Sequence, residues 1–170
     1  MARVQNIMKI NKSESRIGAT KAVQDRLKTT KIEESKGASL VFCWDTHLTK
    51  IKGRNVLFIV NASNRYTIAM TDIEPRNWNY YTMYIRSVIH GVMQEMGYSE
   101  DQIGQYFKMS GDSTVTKTHG RKSVGGINRM VMDAQYFGKK LEKEAKYQWE
   151  LSEYLNRDIC QPEGFDAYGY

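Results

Sequence analysis

Between Leu40 and Thr71 the chain presents three runs rich in β-branched and aromatic residues. They are Leu-Val-Phe-Cys-Trp from Leu40, Arg-Asn-Val-Leu-Phe-Ile-Val-Asn from Arg54 and Tyr-Thr-Ile-Ala-Met-Thr from Tyr66, and only Lys52-Gly53 and Asn61 to Arg65 supply the turns between them. Connections this short leave no room for the crossover that a parallel pair requires, so the spacing predicts an antiparallel meander with strands near residues 40–50, 54–61 and 65–71.

The flanking sequence changes period. Arg16 to Ala19 reads as a short strand, and Thr20 as the N-cap of a helix over 21–28 with Val23 and Leu27 on one face. Lys31 to Ser39 is a polar loop. After Glu74-Pro75, the residues Trp78, Tyr81, Ile85, Val88, Val92 and Met96 recur at spacings of three and four, which predicts a long helix from about 76 to 96 closed by Gly97. Ser99 with Gln102 forms a capping box for a shorter helix. Thr114 to Thr118 reads as a short edge strand, Ser123 as the cap of a helix ending at Gly138, and 139–156 as a last amphipathic helix. The expected architecture is α+β: a mainly antiparallel sheet, a three-strand meander plus short strands, with helices packed on one face. Domain organisation is expected as an N-terminal extension over 1–15, one domain over 16–157 and an aromatic C-terminal coil over 158–170.

Composition narrows the function classes. At 170 residues the chain fits one domain, and its longest clean apolar run, Val56 to Val60, is far below the roughly 20 residues of a membrane helix. The N-terminus shows no secretory pattern, so a cytoplasmic protein with no membrane partner is expected. Cys43 and Cys160 form no metal spacing, and the acids lie scattered without a D-x-D, H-x-x-x-H or E-x-K arrangement, so neither a metal nor a cofactor is expected. The net charge of +6 is concentrated: residues 1–40 hold nine basic groups against four acids. A basic arm is the electrostatic footprint of a nucleic-acid or acidic-protein partner, and is also a common solubility device.

The densest segment runs through Trp44, His47, Leu48, Ile51, Arg54, Leu57 and Asn61. It resembles a family of uncharacterised bacterial domains of plasmids, phages and chromosomes whose pattern is W-x-x-H-L-x-x-I-x-x-R-x-x-L-x-x-x-N. The likeness continues through Tyr66, Thr116-Lys117-Thr118, Ser123-Val124 and Asn128, takes in Thr20-Lys21 and Leu27, and spans roughly 16–137. It implies an α+β domain without an established biochemical function. The association with mobile elements suggests interference with a host defence nuclease, as anti-CRISPR proteins achieve.

On physical grounds His47 and Arg54 lie on neighbouring strands of one hairpin, where an imidazole, a guanidinium and the Asn61 amide would suit an anion or a base, with Trp44 as a stacking surface. The competing reading makes Trp44 core, bonds His47 to backbone and leaves Arg54 exposed. Lys50 and Lys52 add charge at the hairpin tip. Thr118 to Ser123, with Arg121 and Lys122 at a helix start, is a second phosphate-attracting loop. These residues predict a small basic binding protein engaging nucleic acid or a nucleoprotein complex such as a defence nuclease. The alternative is a metal-independent ribonuclease with His47 and His119 as acid and base, and Lys117 or Arg121 holding the phosphate.

Overall fold

The computed structural model describes residues 14–157, so nearly all of the N-terminal extension expected over 1–15, with Arg3, Lys9 and Lys12, and the aromatic C-terminal coil expected over 158–170 lie outside the described residues. The described chain runs β1 (Ser15–Ala19), α1 (Lys21–Leu27), a 3-10 turn (Leu40–Phe42), β2 (Cys43–Ile51), β3 (Arg54–Asn61), β4 (Thr67–Thr71), α2 (Pro75–Asn79), α3 (Tyr81–Glu95), α4 (Glu100–Ser110), β5 (Ser113–Thr116), α5 (Arg121–Gln135) and α6 (Trp149–Asn156).

The meander forms about the predicted turns, its first strand starting at Cys43 after the 3-10 turn and not at Leu40. Trp44 faces Asn61 and Ile51 faces Arg54 across β2 and β3, and Val56 faces Thr71 across β3 and β4. Lys52 and Gly53 both take positive φ, 50° and 83°, the backbone of the tight turn whose twist matches the strands it joins. The rest of the sheet corrects the expectation. Its order is β4-β3-β2-β1-β5, and β1 runs parallel to both β2 and β5, so the sheet is mixed. The chain between β1 and β2, α1 plus the polar loop, is long enough for a crossover, and that length permits the parallel pairing.

Helices cover both faces of the sheet, where one covered face was expected. Leu57 and Ile59 of β3 meet Val23 of α1 and Tyr81, Ile85, Ile89 and Val92 of α3 on one side. Val56, Phe58 and Val60 meet Ile127 and Ala134 of α5 and Leu151 and Leu155 of α6 on the other. All five of Val56 to Val60 are buried, and a strand apolar on both sides needs cover on both.

Three helix expectations also change. The long helix breaks at Tyr80 (φ −115°, ψ 43°) into α2 and α3, and Trp78 stacks on Tyr81 across the break at 5.5 Å. The last helix begins only at Trp149. The segment before it lies along the outer edge of β4, with Lys146 O accepting from Thr71 N at 2.7 Å and Gln148 N donating to Ala69 O at 2.9 Å. An unpaired strand edge claims those backbone groups more strongly than a helix period does. Ser123 is the third residue of α5 and Gly120 takes the N-cap position; the serine hydroxyl is used elsewhere. The Ser99–Gln102 capping box of α4 forms in both directions.

Candidate functional site

Asp45 is the pivot of the face covered by α5. It is wholly buried on β2 beside Gly18 of β1, and a Cβ at Gly18 would stand 1.9 Å from its Oδ1, so only glycine leaves room for the carboxylate. After β5 the chain passes over this point and returns to it. His119 donates to Asp45 Oδ1 from its ring Nδ1 at 2.6 Å and from its backbone N–H at 3.2 Å, and the Ser123 hydroxyl donates to Oδ2. A buried carboxylate with three donors is satisfied, and here it clasps the start of α5 to the sheet.

The His119 side chain is only 5% exposed. Burial works against its charge, but the hydrogen bonds and charges of Asp45 and the neighbouring Cys43 thiol outweigh that, and its pKa is pushed up to about 9. The ring is therefore held as an imidazolium at neutral pH. His47, two residues along β2 from Asp45 and so on the same face, meets the Thr20 hydroxyl through Nδ1 at 3.0 Å. Burial lowers its pKa. Thr20 occupies the N-cap position of α1 without capping it, because its hydroxyl is turned to His47.

The clasp leaves the α5 N-terminus facing outward. Gly120, at φ 90°, offers no side-chain cap, and the first turn contains no acid but does contain exposed Arg121 and Lys122. Arg65 lies across the same end, its Nη1 3.4 Å from Ser123 O and its guanidinium against Gly126, where a Cβ would come within 3.2 Å. From there α5 follows β2 toward the hairpin tip, where Gln135 Nε2 donates to Lys50 O at 3.1 Å. Val124, Arg129, Met132 and Tyr136 of α5 and its C-cap are exposed, as is Lys52 at the tip, whereas exposed Lys50, six residues from Trp44 on β2, projects to the opposite face.

The structure separates the other predicted residues. Trp44 and Asn61 face each other on the α3 side of the sheet. Trp44 is 8% exposed and donates to the Tyr106 hydroxyl at 2.9 Å, so it is core and not a stacking platform. Asn61 ties the β3–β4 turn, donating to Val41 O and accepting from Ser63 N and Asn64 N. Arg54, at the opposite end of the hairpin, holds Glu142 O at 2.7 Å, Thr71 Oγ1 at 3.1 Å and the Asp72 carboxylate, anchoring the segment before α6. The predicted Trp-His-Arg-Asn surface is thus dispersed over both faces. Lys117 pairs with Glu34 at 2.6 Å. Among the described residues no three His, Cys, Asp or Glu side chains gather to hold a metal ion.

Sequence reasoning missed Asp45 and Arg65. Asp45 stands inside the Trp44-Asp45-Thr46-His47 segment, the densest in rare residue types, at a strand position between apolar neighbours, where a carboxylate requires buried partners. Gly18 in a short strand is the companion signal.

A family model described as a domain of unknown function, DUF6933, matches residues 16–170, extending the resemblance read from the sequence beyond residue 137. No curated protein and no solved structure matches the chain.

Proposed function

We propose, from the premise that this chain belongs to the DUF6933 family, that it binds a nucleic acid through the N-terminal end of α5 and the side of the domain that α5 covers. One observation carries the reading. The first turn of α5 holds Arg121 and Lys122, no acid and no side-chain cap, with Arg65 alongside. Cations at a helix N-terminus oppose the macrodipole at a cost of about 0.3–1 kcal/mol each, whereas an anion there is favoured by the dipole and the cations together. A local rule broken on a helix otherwise well anchored is the kind of conflict that a partner resolves. Phosphate supplies the matching charge, and a nucleic-acid backbone repeats it along Arg129 toward Lys52 at the hairpin tip.

The geometry gives less to the ribonuclease alternative. His119 is enclosed, with Nδ1 held by Asp45, so it does not reach a substrate outside as a general acid must. Interference with a defence nuclease would use the same basic surface against a nucleoprotein and has no separate feature in the fold. Titration of labelled RNA and DNA with the purified protein, with and without Mg²⁺, tests the reading. Salt-sensitive binding without turnover is expected. Turnover abolished by His47→Ala or His119→Ala would replace the binding reading with the nuclease one.

A further inference from the structure

On the face of the sheet away from α5, a cavity of about 450 Å³ opens between β2, β3, β4 and the helices α3 and α4. Its volume falls within the range of about 300–1,000 Å³ usual for small-molecule sites. Trp44, Tyr66 and Tyr106 present rings to it, Met93 and Met96 present thioethers, and Ile68, Ile89 and Val92 complete the wall.

Among the described residues no aspartate, glutamate, lysine, arginine or histidine lines the cavity. A charged ligand would therefore lose its hydration without gaining a partner, which costs more than apolar contact returns. Three polar side chains on the wall are committed. Trp44 Nε1 donates to Tyr106 Oη, Tyr106 Oη donates to Val41 O at 3.1 Å, and Asn61 serves the turn. Most of the rest of the wall is aromatic faces, those of Trp44 and Tyr106 held rigid by these bonds, and methionines that adapt around them. Offset or edge-on ring packing and sulfur–aromatic contact are the interactions such a wall offers, and both select an aromatic ring. Met96 and Tyr98, 47% and 45% exposed, stand at the mouth.

We propose that this cavity is a binding site for a neutral, mostly apolar aromatic small molecule, which packs a ring between the Trp44–Tyr106 wall and Met93. The site is independent of α5 and lies across the sheet from it, so its failure would leave the nucleic-acid reading untouched.

The probe is N-phenyl-1-naphthylamine, which is neutral, aromatic and brightly emissive only in apolar surroundings. It is titrated into the full chain carrying Trp78→Phe and Trp149→Phe, so that Trp44 alone of the three tryptophans reports. Saturable binding of one probe per chain is expected, with probe emission rising as Trp44 emission falls. Met93→Trp, which intrudes into the cavity and, since it adds a tryptophan, is read by probe emission alone, should weaken binding by roughly tenfold or more, about 1.4 kcal/mol. Met96→Trp at the exposed mouth should weaken it in the same direction and serves as the deciding variant if Met93→Trp lowers the melting temperature. Emission that never saturates at one probe per chain, or affinity unchanged in a folded variant, would overturn the proposal.

Discussion

The two faces of the sheet are built by opposite means. On the α3 side, Leu57, Ile59 and Ile68 meet an apolar helix face, Trp44 is tied by its bond to Tyr106, and the packing leaves an uncharged cavity. On the α5 side an apolar patch around Phe58 and Ile127 gives way, toward the α5 N-terminus, to a buried carboxylate, an imidazolium and a hydroxyl. Hydrophobic burial is non-directional and tolerates a void, whereas a buried ionic cluster fixes one geometry and fails if one member is removed. The contrast teaches that α5 is positioned by a few directional bonds and α3 by area.

The sharpest way to break the comparison is to remove the pivot. Asp45→Ala takes from buried His119 and Ser123 their shared acceptor, and from the imidazole the carboxylate that keeps it charged, and should destabilise the domain by about 3–5 kcal/mol in denaturant titrations. Gly18→Ala, which drives a methyl into the same carboxylate, should act in the same direction. On the other face Trp44→Ala should cost about 3 kcal/mol by creating a cavity, while Trp44→Phe, which keeps most of the volume and loses the bond to Tyr106, should cost only about 1 kcal/mol.

Acidity sharpens it further. The His119 pKa is raised from an ordinary 6.5 to about 9 in the folded chain. Its contribution is therefore complete below pH 6.5 and is lost as the pH rises through about 9. Denaturation midpoints should fall between those values in the wild type, and His119→Gln should flatten that part of the profile. A smaller effect is expected at Arg54: Arg54→Ala removes the anchors to Glu142 and Thr71 and should cost about 1–2 kcal/mol while leaving nucleic-acid affinity nearly unchanged.

Legibility in the sequence follows the range of the forces involved. The hairpin of β2 and β3 is readable because Lys52-Gly53 sets its register locally, and the α4 start because Ser99 and Gln102 lie one turn apart. The parallel placement of β1 is not, since it depends on pairing across the whole α1 crossover. Two-sided cover is written in the unbroken run Val56 to Val60, a pattern that an alternating, half-exposed strand does not show. The segment before α6 has helical spacing, but the free edge of β4 captures it through Thr71 and Ala69. At the site, Arg121, Lys122 and His119 are legible as a loop and helix start, while Asp45 is not, because its partners are more than seventy residues away. Trp44, Arg54 and Asn61 are rare types in close sequence, and that density reflects the demands of packing and turns.

The most direct test of the α5 account is to measure stability and affinity on one variant, Arg121→Ala. Removing this cation from a helix N-terminus should leave stability unchanged or raise it by a few tenths of a kcal/mol up to about 1 kcal/mol. The same change should weaken binding of labelled RNA or DNA and lower the slope of log affinity against log salt by about one for each phosphate that the protein no longer neutralises. Higher or equal stability with weaker, less salt-dependent binding is the predicted result. Unchanged affinity and an unchanged salt slope in the folded Arg121→Ala variant would contradict the account.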